Sequence, residues 1–173
     1  GFKTDSSVVS QRFDFFFSYG GKNKLNWLFA PRKPYFSDIN NPFKISTGPI
    51  FEIPLTSTIF PFISTTMRIF PRLTRIQTMI LIFESINFIK PIVFDIHPNE
   101  FIDESSRDVR EINRRSSNYL GYLVKDYLRS KLKVKNLGHP CIKLYTTLIK
   151  DYFSYGVNTK CVTIKEYYNR YAN

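Results

Sequence analysis

A histidine two residues after an aspartate is the pair of side chains in this sequence best suited to chemistry. Asp95 and His97 end an apolar run that starts at Pro91. Because side chains alternate along a β-strand, this spacing predicts both groups on one face at the carboxyl end of a strand, where α/β proteins build their sites. The carboxylate favours the protonated imidazole, which suits a general acid. The alternative is a structural histidine that binds loop backbone.

Other carboxylates and one indole are further candidates. Glu52 interrupts the apolar segment 50–55, where a carboxylate is unusual for a covered strand. It either tunes His97 or binds an arginine. Asp5 ends the first predicted strand, where it contacts substrate or forms a local turn with the serines that follow. Trp27 opens a ring-rich segment that either stacks on sugar rings or anchors a loop. Glu100 follows His97 closely enough to orient it.

The elements that must position these residues alternate in type, so the sequence predicts a single α/β domain over residues 1–173. Strands are predicted at 2–9, 50–55, 91–96 and 159–162, and residues 18–49 read as a loop-rich crossover. Four helices are also predicted. Three of them are indicated by apolar residues at helical spacing, namely Leu73, Ile76, Ile80 and Phe83 in the first, residues between 120 and 132 in the second, and residues within 140–153 in the third. The fourth is indicated by a capping box at Thr163–Glu166.

Composition excludes several classes of protein. The chain has 173 residues, 43% of them hydrophobic, with Lys and Arg totalling 25 against 14 acidic residues, for a net charge of +11. This is a globular composition. No apolar stretch is long enough to span a membrane. The start of the sequence is not a signal peptide, and its two cysteines form no disulfide or zinc pattern, which favours a cytoplasmic location.

Three segments, in order, resemble motifs of the polysaccharide deacetylases, carbohydrate esterase family 4. They are DIHPNEF at residues 95–101, GFKTDSSV at 1–8 and IFEIP at 50–54, and CVTIKEY at 161–167 is similar to the segment that often closes such domains. The resemblance covers only the later half of the family's domain. It therefore implies the later part of a distorted (β/α) barrel.

The resemblance also implies an activity, the removal of N-acetyl groups from an amino sugar or polysaccharide. In the family, an aspartate and two histidines hold a divalent metal, commonly zinc, which polarises the amide carbonyl and activates water. A second aspartate is the base, and a late histidine protonates the leaving amine. His97 matches that last role. Asp95 and Glu52 are implied partners in catalysis, and Asp5, Glu100 and Trp27 are candidate substrate contacts.

The departures from the family pattern concern the metal. The chain has no adjacent pair of aspartates, and its two histidines, His97 and His139, are not spaced as a ligand pair. We therefore expect no metal site within this chain, and a divalent metal only where an upstream half supplies the ligands. The sheet also looks unfinished before its first strand.

Two alternatives from other functional classes stay open. One is a catalytically silent carbohydrate-binding protein derived from the same fold. The other is a basic module that binds an anionic glycan, a membrane surface or nucleic acid through residues 107–135. Nucleic acid is the weakest partner, because no recognition helix or interleaved aromatic motif is present.

Overall fold

The computed structural model describes residues 2–11, 26–103, 116–155 and 160–171. The strands are β1 (Thr4–Asp5), β2 (Tyr35–Asp38), β3 (Asn41–Ile45) and β4 (Ile50–Glu52). They form one mixed sheet in the order β1-β4-β2-β3, in which β1 is parallel to β4 and the other pairs are antiparallel. The predicted α/β class is confirmed at this level. A closed barrel is not present among the described residues.

Seven α-helices are found in the described part of the chain. They are α1 (Asn26–Phe29), α2 (Ser64–Ile69), α3 (Pro71–Phe88), α4 (Tyr119–Gly121), α5 (Arg129–Lys133), α6 (His139–Ser154) and α7 (Ile164–Tyr171). A wider π-helical segment, Tyr122–Leu128, joins α4 to α5, and a single 3₁₀ turn covers Pro98–Phe101. None of the described helices is both long enough and apolar enough to cross a bilayer.

The segment expected to be a loop-rich crossover contains a β-hairpin, so that expectation was wrong for residues 35–45. Strand β3 is at the edge of the sheet. Pro42 has no backbone N–H to donate, and an edge strand tolerates this because one of its sides has no partner strand. Local side-chain bonds close the turn: Asn40 N donates to Asp38 Oδ1 at 2.8 Å, and Phe43 N donates to Asn41 Oδ1 at 3.1 Å. Proline and asparagine, which indicated a loop, here end and turn the strands.

The predicted strand at 91–96 is reduced to a short extended segment. Only Asp95 makes a bridge, a parallel one to Ile63, and residues 91–96 are all partly exposed. A further contact runs from Thr56 N to Val93 O at 3.2 Å. The segment thus has neighbours along one edge only, which leaves it short of a full ladder. Residues 160–162 likewise form no strand.

The two faces of the sheet differ in what covers them. Phe51 of β4 packs against Phe36 and against three tyrosines of α7, with ring centroids 5.0–6.5 Å apart. In the 91–96 segment, Phe94 packs against Phe62 and against Tyr145 of α6. Helix α7 therefore covers the Phe51 side of β4, and α6 packs on Phe94. Because neighbouring strand residues point to opposite faces, Glu52 lies on the side of β4 opposite to Phe51.

The main hydrophobic core lies between α2, α3 and α6. Its buried members are Phe62, Met67, Leu81, Cys141 and Leu148. Cys141 has no exposed surface, whereas the second free thiol, Cys161, is exposed. The segment 140–153 is helical as predicted. His139 is the first residue of α6.

The orientation of α3 contradicts the periodicity argument. The stripe predicted to face the core is exposed, and the buried face consists of Thr74, Gln77, Thr78, Leu81 and Ile82. Two of its polar groups are bonded: Gln77 Nε2 donates to Phe60 O at 2.7 Å, and Thr78 Oγ1 donates to Thr74 O at 2.8 Å. Gln77 Oε1 is buried with no partner among the described residues. Apolar residues occur on both sides of this helix, so their periodicity does not identify the buried side.

The last helix begins as the sequence predicts. Thr163 Oγ1 accepts from Glu166 N at 3.1 Å, and Glu166 Oε2 accepts from Thr163 N at 2.7 Å. These reciprocal bonds are those of a capping box. The same backbone and hydroxyl bonds lower the pKa of Glu166. The box fixes the start of α7, whose tyrosines then reach Phe51.

Candidate active site

Asp95 and His97 lie together at an exposed position, as their spacing predicts. His97 Nε2 is 3.9 Å from Asp95 Oδ2, and their side chains are 67% and 38% exposed. The Asp95 backbone is held by two bonds to the neighbouring segment 62–64: its carbonyl accepts from Ser64 N at 2.8 Å, and its N–H donates to Phe62 O at 3.4 Å. The pair therefore presents an imidazole with a neighbouring carboxylate to solvent from a tethered backbone.

The chain turns sharply after His97, and this turn is fixed by Glu100. Glu100 N donates to His97 O at 2.9 Å within the 3₁₀ turn. The Glu100 carboxylate is buried, where Oε1 is 2.6 Å from Arg68 Nη2 and accepts from Thr65 Oγ1 at 3.1 Å. Burial raises the pKa of Glu100, but bonds from Ser64 and Arg68 outweigh it and hold that pKa below its ordinary value. Glu100, a predicted substrate contact, is engaged inside the protein.

Arg68 extends this network to the helices that follow. Its Nη1 donates to the carbonyls of Lys133 at 2.9 Å and Lys135 at 2.7 Å, and its own carbonyl accepts from Asn136 Nδ2 at 2.7 Å. These carbonyls lie at the end of α5, where helix geometry leaves them without partners. Arg68 thus joins α2, the turn after His97 and the connection to α6. Sequence reasoning missed it, although an arginine between apolar residues was the available signal.

Glu52 occupies a second, deeper position. It is 1% exposed, and its Oε1 accepts from Val8 N at 3.0 Å while its Oε2 has no partner within the described part of the chain. Burial raises its pKa to about 7, with a further contribution from the charge of Asp5. A carboxyl group with such a pKa exchanges a proton near neutral pH. Among the described residues, neither predicted partner, an arginine or His97, bonds to this group.

Asp5 is the register partner of Glu52 across the parallel pair β1–β4. Both of its carboxylate oxygens are used locally: Oδ1 accepts from Ser6 N at 2.8 Å, and Oδ2 accepts from Ser7 Oγ at 2.9 Å. These are the bonds of the turn that the sequence offers as the alternative. Asp5 is exposed, and its charge lies near the Glu52 carboxyl.

Tyr35 completes a row across three strands, and sequence reasoning missed it. It pairs with Glu52 in the antiparallel β2–β4 ladder, so the row runs Asp5, Glu52, Tyr35 on one face. Its hydroxyl donates to Pro42 O at 2.5 Å. Burial, and then the nearby carboxylates, raise the pKa of Tyr35 above its ordinary value. Because Tyr35 lies in a segment expected to be loop, no sequence signal marked it.

The candidate residues form two separate groups. One is the row through Glu52, and the other is the Asp95–His97 pair. Among the described residues, no hydrogen bond or ion pair links the two groups. The deep group is suited to holding a proton, and the exposed pair is suited to donating one.

The remaining candidates are placed as follows. Trp27 belongs to α1 and is half-buried, and its carbonyl accepts from Gln11 N at 2.6 Å. Of the basic stretch 107–135, residues 107–115 lie outside the described ranges. In its described part, Lys131 Nζ is 4.6 Å from the centre of the Tyr127 ring.

The described residues do not fit a metal on their own. Residues 2–11, 26–103, 116–155 and 160–171 contain no group of three or more histidine, cysteine, aspartate or glutamate side chains that could hold an ion. Comparison with protein-family models, with curated proteins and with solved structures finds no match to this chain. Function must therefore be argued from the geometry of the site.

Proposed function

We propose that this chain is the C-terminal part of a metal-dependent deacetylase that acts on an N-acetylated amino sugar or polysaccharide. The observation that supports it best is the exposed Asp95–His97 pair at the end of an extended segment. Such placement at a strand's carboxyl end is where α/β enzymes position catalytic groups. The motif resemblances assign the same pair to the acid step.

The open sheet edges agree with this proposal. Strand β1 ends the sheet order and has no partner on its outer edge among the described residues. The segment around Asp95 has its parallel neighbour, Ile63, on one side. Further strands at these two edges would extend the open sheet toward a distorted (β/α) barrel.

Within this proposal, His97 is the general acid. It donates its proton to the amide nitrogen as the C–N bond breaks, so that the amine leaves as a neutral group. Asp95 stabilises the imidazolium and orients the ring. Arg68 and Glu100 position His97 by fixing the turn that follows it. The divalent metal of the family would need ligands from outside the described residues.

The test uses the product of the complete gene, with zinc supplied, and measures acetate released from N-acetylglucosamine oligomers. We expect His97→Ala to lower turnover by about 10²–10⁴-fold, the usual contribution of a general acid, with little loss of folding. His139→Ala is the matched control, because His139 is exposed at the start of α6. Wild-type turnover in His97→Ala would remove the acid assignment.

The same experiment separates the alternatives. A protein that binds the oligomers without metal and releases no acetate is a catalytically silent carbohydrate-binding protein. One that binds anionic glycan or nucleic acid with a steep salt dependence, and ignores N-acetylglucosamine oligomers, is a basic binding module. Either result overturns the deacetylase proposal.

A further inference from the structure

One face of α3 exposes a continuous apolar surface, which we call the outward face. Its apolar side chains are between 38% and 66% exposed: Leu73, Ile76, Met79, Ile80, Phe83 and Ile86. Single exposed apolar residues are ordinary, but a patch of six on one helix marks an interaction surface.

The outward face lies opposite the packed side of α3. That packed side, which includes Thr74 and Leu81, contacts the neighbouring helices α2 and α6. Phe83 follows Leu81 by two residues, which is about 200° around an α-helix, so the two side chains point in opposite directions. None of the described elements therefore covers the outward face.

The charges around the outward face select the kind of partner. Glu84 is the only acidic residue of α3, and it is bound to Arg32 at 2.6 Å and to Lys90 at 3.0 Å. Arg72 is exposed on the outward face, and the whole chain has a net charge of +11. A second copy would bring together two cationic surfaces of the same kind, which repel. An anionic surface with an apolar interior satisfies both properties at once.

We propose that α3 lies in the plane of an anionic phospholipid membrane, with its outward face in the acyl–headgroup boundary. The helix has 18 residues, so it would cover about 27 Å of the membrane surface. Arg72 would contact lipid phosphates while the isoleucines and Phe83 enter the apolar layer. This binding is peripheral, and it does not depend on the proposed deacetylase activity.

The test is flotation of the purified 173-residue chain with vesicles. One set contains phosphatidylcholine alone, and the other contains phosphatidylcholine and phosphatidylglycerol in equal amounts. We expect flotation with the anionic set, weakened by salt. The triple variant Ile76→Ser/Ile80→Ser/Phe83→Ser should bind about tenfold more weakly or worse, because it loses most of the apolar area available for insertion. The matched control is Ile39→Ser/Ile45→Ser, which removes isoleucines that are 75% and 63% exposed in the hairpin.

Each outcome is decisive. Loss of flotation in the triple variant, with the control unchanged and circular dichroism the same for all three proteins, supports the proposal. No flotation of the wild type with anionic vesicles overturns it. Equal flotation of the triple variant assigns binding to general surface charge and also overturns it. A wild type that forms dimers in solution, with a monomeric triple variant, reassigns the outward face to self-association.

Discussion

Arg68 and Glu100 form a buried ion pair in which Nη2 and Oε1 are 2.6 Å apart. The pair connects α2 to the turn that directly follows His97, and Arg68 also binds two carbonyls at the end of α5. The guanidinium thus joins the turn after His97 to the end of α5, and Gly138 N separately donates to the backbone carbonyl of Glu100 at 2.9 Å. The turn that follows the exposed imidazole is therefore held by both side-chain and backbone bonds.

Arg68→Met should destabilise the protein strongly. The substitution leaves the Glu100 carboxylate buried without its charge partner, which typically costs about 3–5 kcal/mol of unfolding free energy. Urea denaturation measures it. Arg75→Met is the matched control: Arg75 pairs with Asp151 at 2.9 Å but is 65% exposed, so the loss there should stay below about 1 kcal/mol. Equal losses in the two variants would contradict the role assigned to the buried pair.

The stability of the wild type should fall as pH rises from 4.5 to 7. The pKa of Glu52 is raised from its ordinary value of 4.5 to about 7, so the folded chain holds this proton where the unfolded chain has lost it. The stabilisation from Glu52 is fully present below pH 4.5 and lost above pH 7, and it amounts to about 3 kcal/mol. Denaturant titrations at several pH values measure the slope.

Glu52→Gln should remove that slope, since the amide does not titrate. At pH 8 the variant should be at least as stable as the wild type, because no charge is then buried between Asp5 and Tyr35. Asp38→Asn is the control, because Asp38 is a half-buried carboxylate at the end of β2 that bonds its own turn. A wild-type slope that persists in Glu52→Gln would show that another group binds the proton.

Phe51→Ala should detach α7 from the sheet. Phe51 is 1% exposed and contacts three tyrosines of that helix, so its truncation should cost about 3–5 kcal/mol. Limited proteolysis reports the change, with faster cleavage expected in residues 164–171. Phe2→Ala, at a site that is 93% exposed, should change neither stability nor the cleavage pattern. Unchanged protection of α7 in Phe51→Ala would refute this account of its attachment.

Zinc titrated into the 173-residue chain should bind only weakly. The described residues bring no three ligands together, and two neighbouring ligands do not make a structural or catalytic zinc site. Isothermal calorimetry, with His97→Ala as the comparison, measures the interaction. If the wild type bound one zinc ion per chain and His97→Ala bound none, this chain would form a metal centre that includes His97.

Local patterns in the sequence were the ones that predicted structure correctly. The Asp95–His97 pair depends only on alternation over three residues, and the Thr163–Glu166 capping box depends only on the first turn of a helix. Both are fixed by short-range geometry. The turn at Asp5 belongs to the same class, because its side chain bonds the next two residues.

Long-range relationships could not be read in the same way. Arg68 and Glu100 are 32 residues apart, and nothing in either neighbourhood identifies the other. The buried side of α3 was predicted wrongly because apolar residues occur on both sides, so tertiary packing decided between them. The β2–β3 hairpin was missed because Pro42 argues against a strand. A strand can contain this proline only when it lies at a sheet edge, and the sequence does not show which strand is at the edge.

Because one thiol is exposed and the other is buried in the core, the rate of thiol labelling can measure how often the core opens. A maleimide dye added to the native chain should modify Cys161 at once and reach Cys141 only when the packing between α2, α3 and α6 opens. Counting labels by mass spectrometry over time would then give the opening rate of the core without any engineered residue. The same readout would reveal whether a bound membrane or sugar slows that opening.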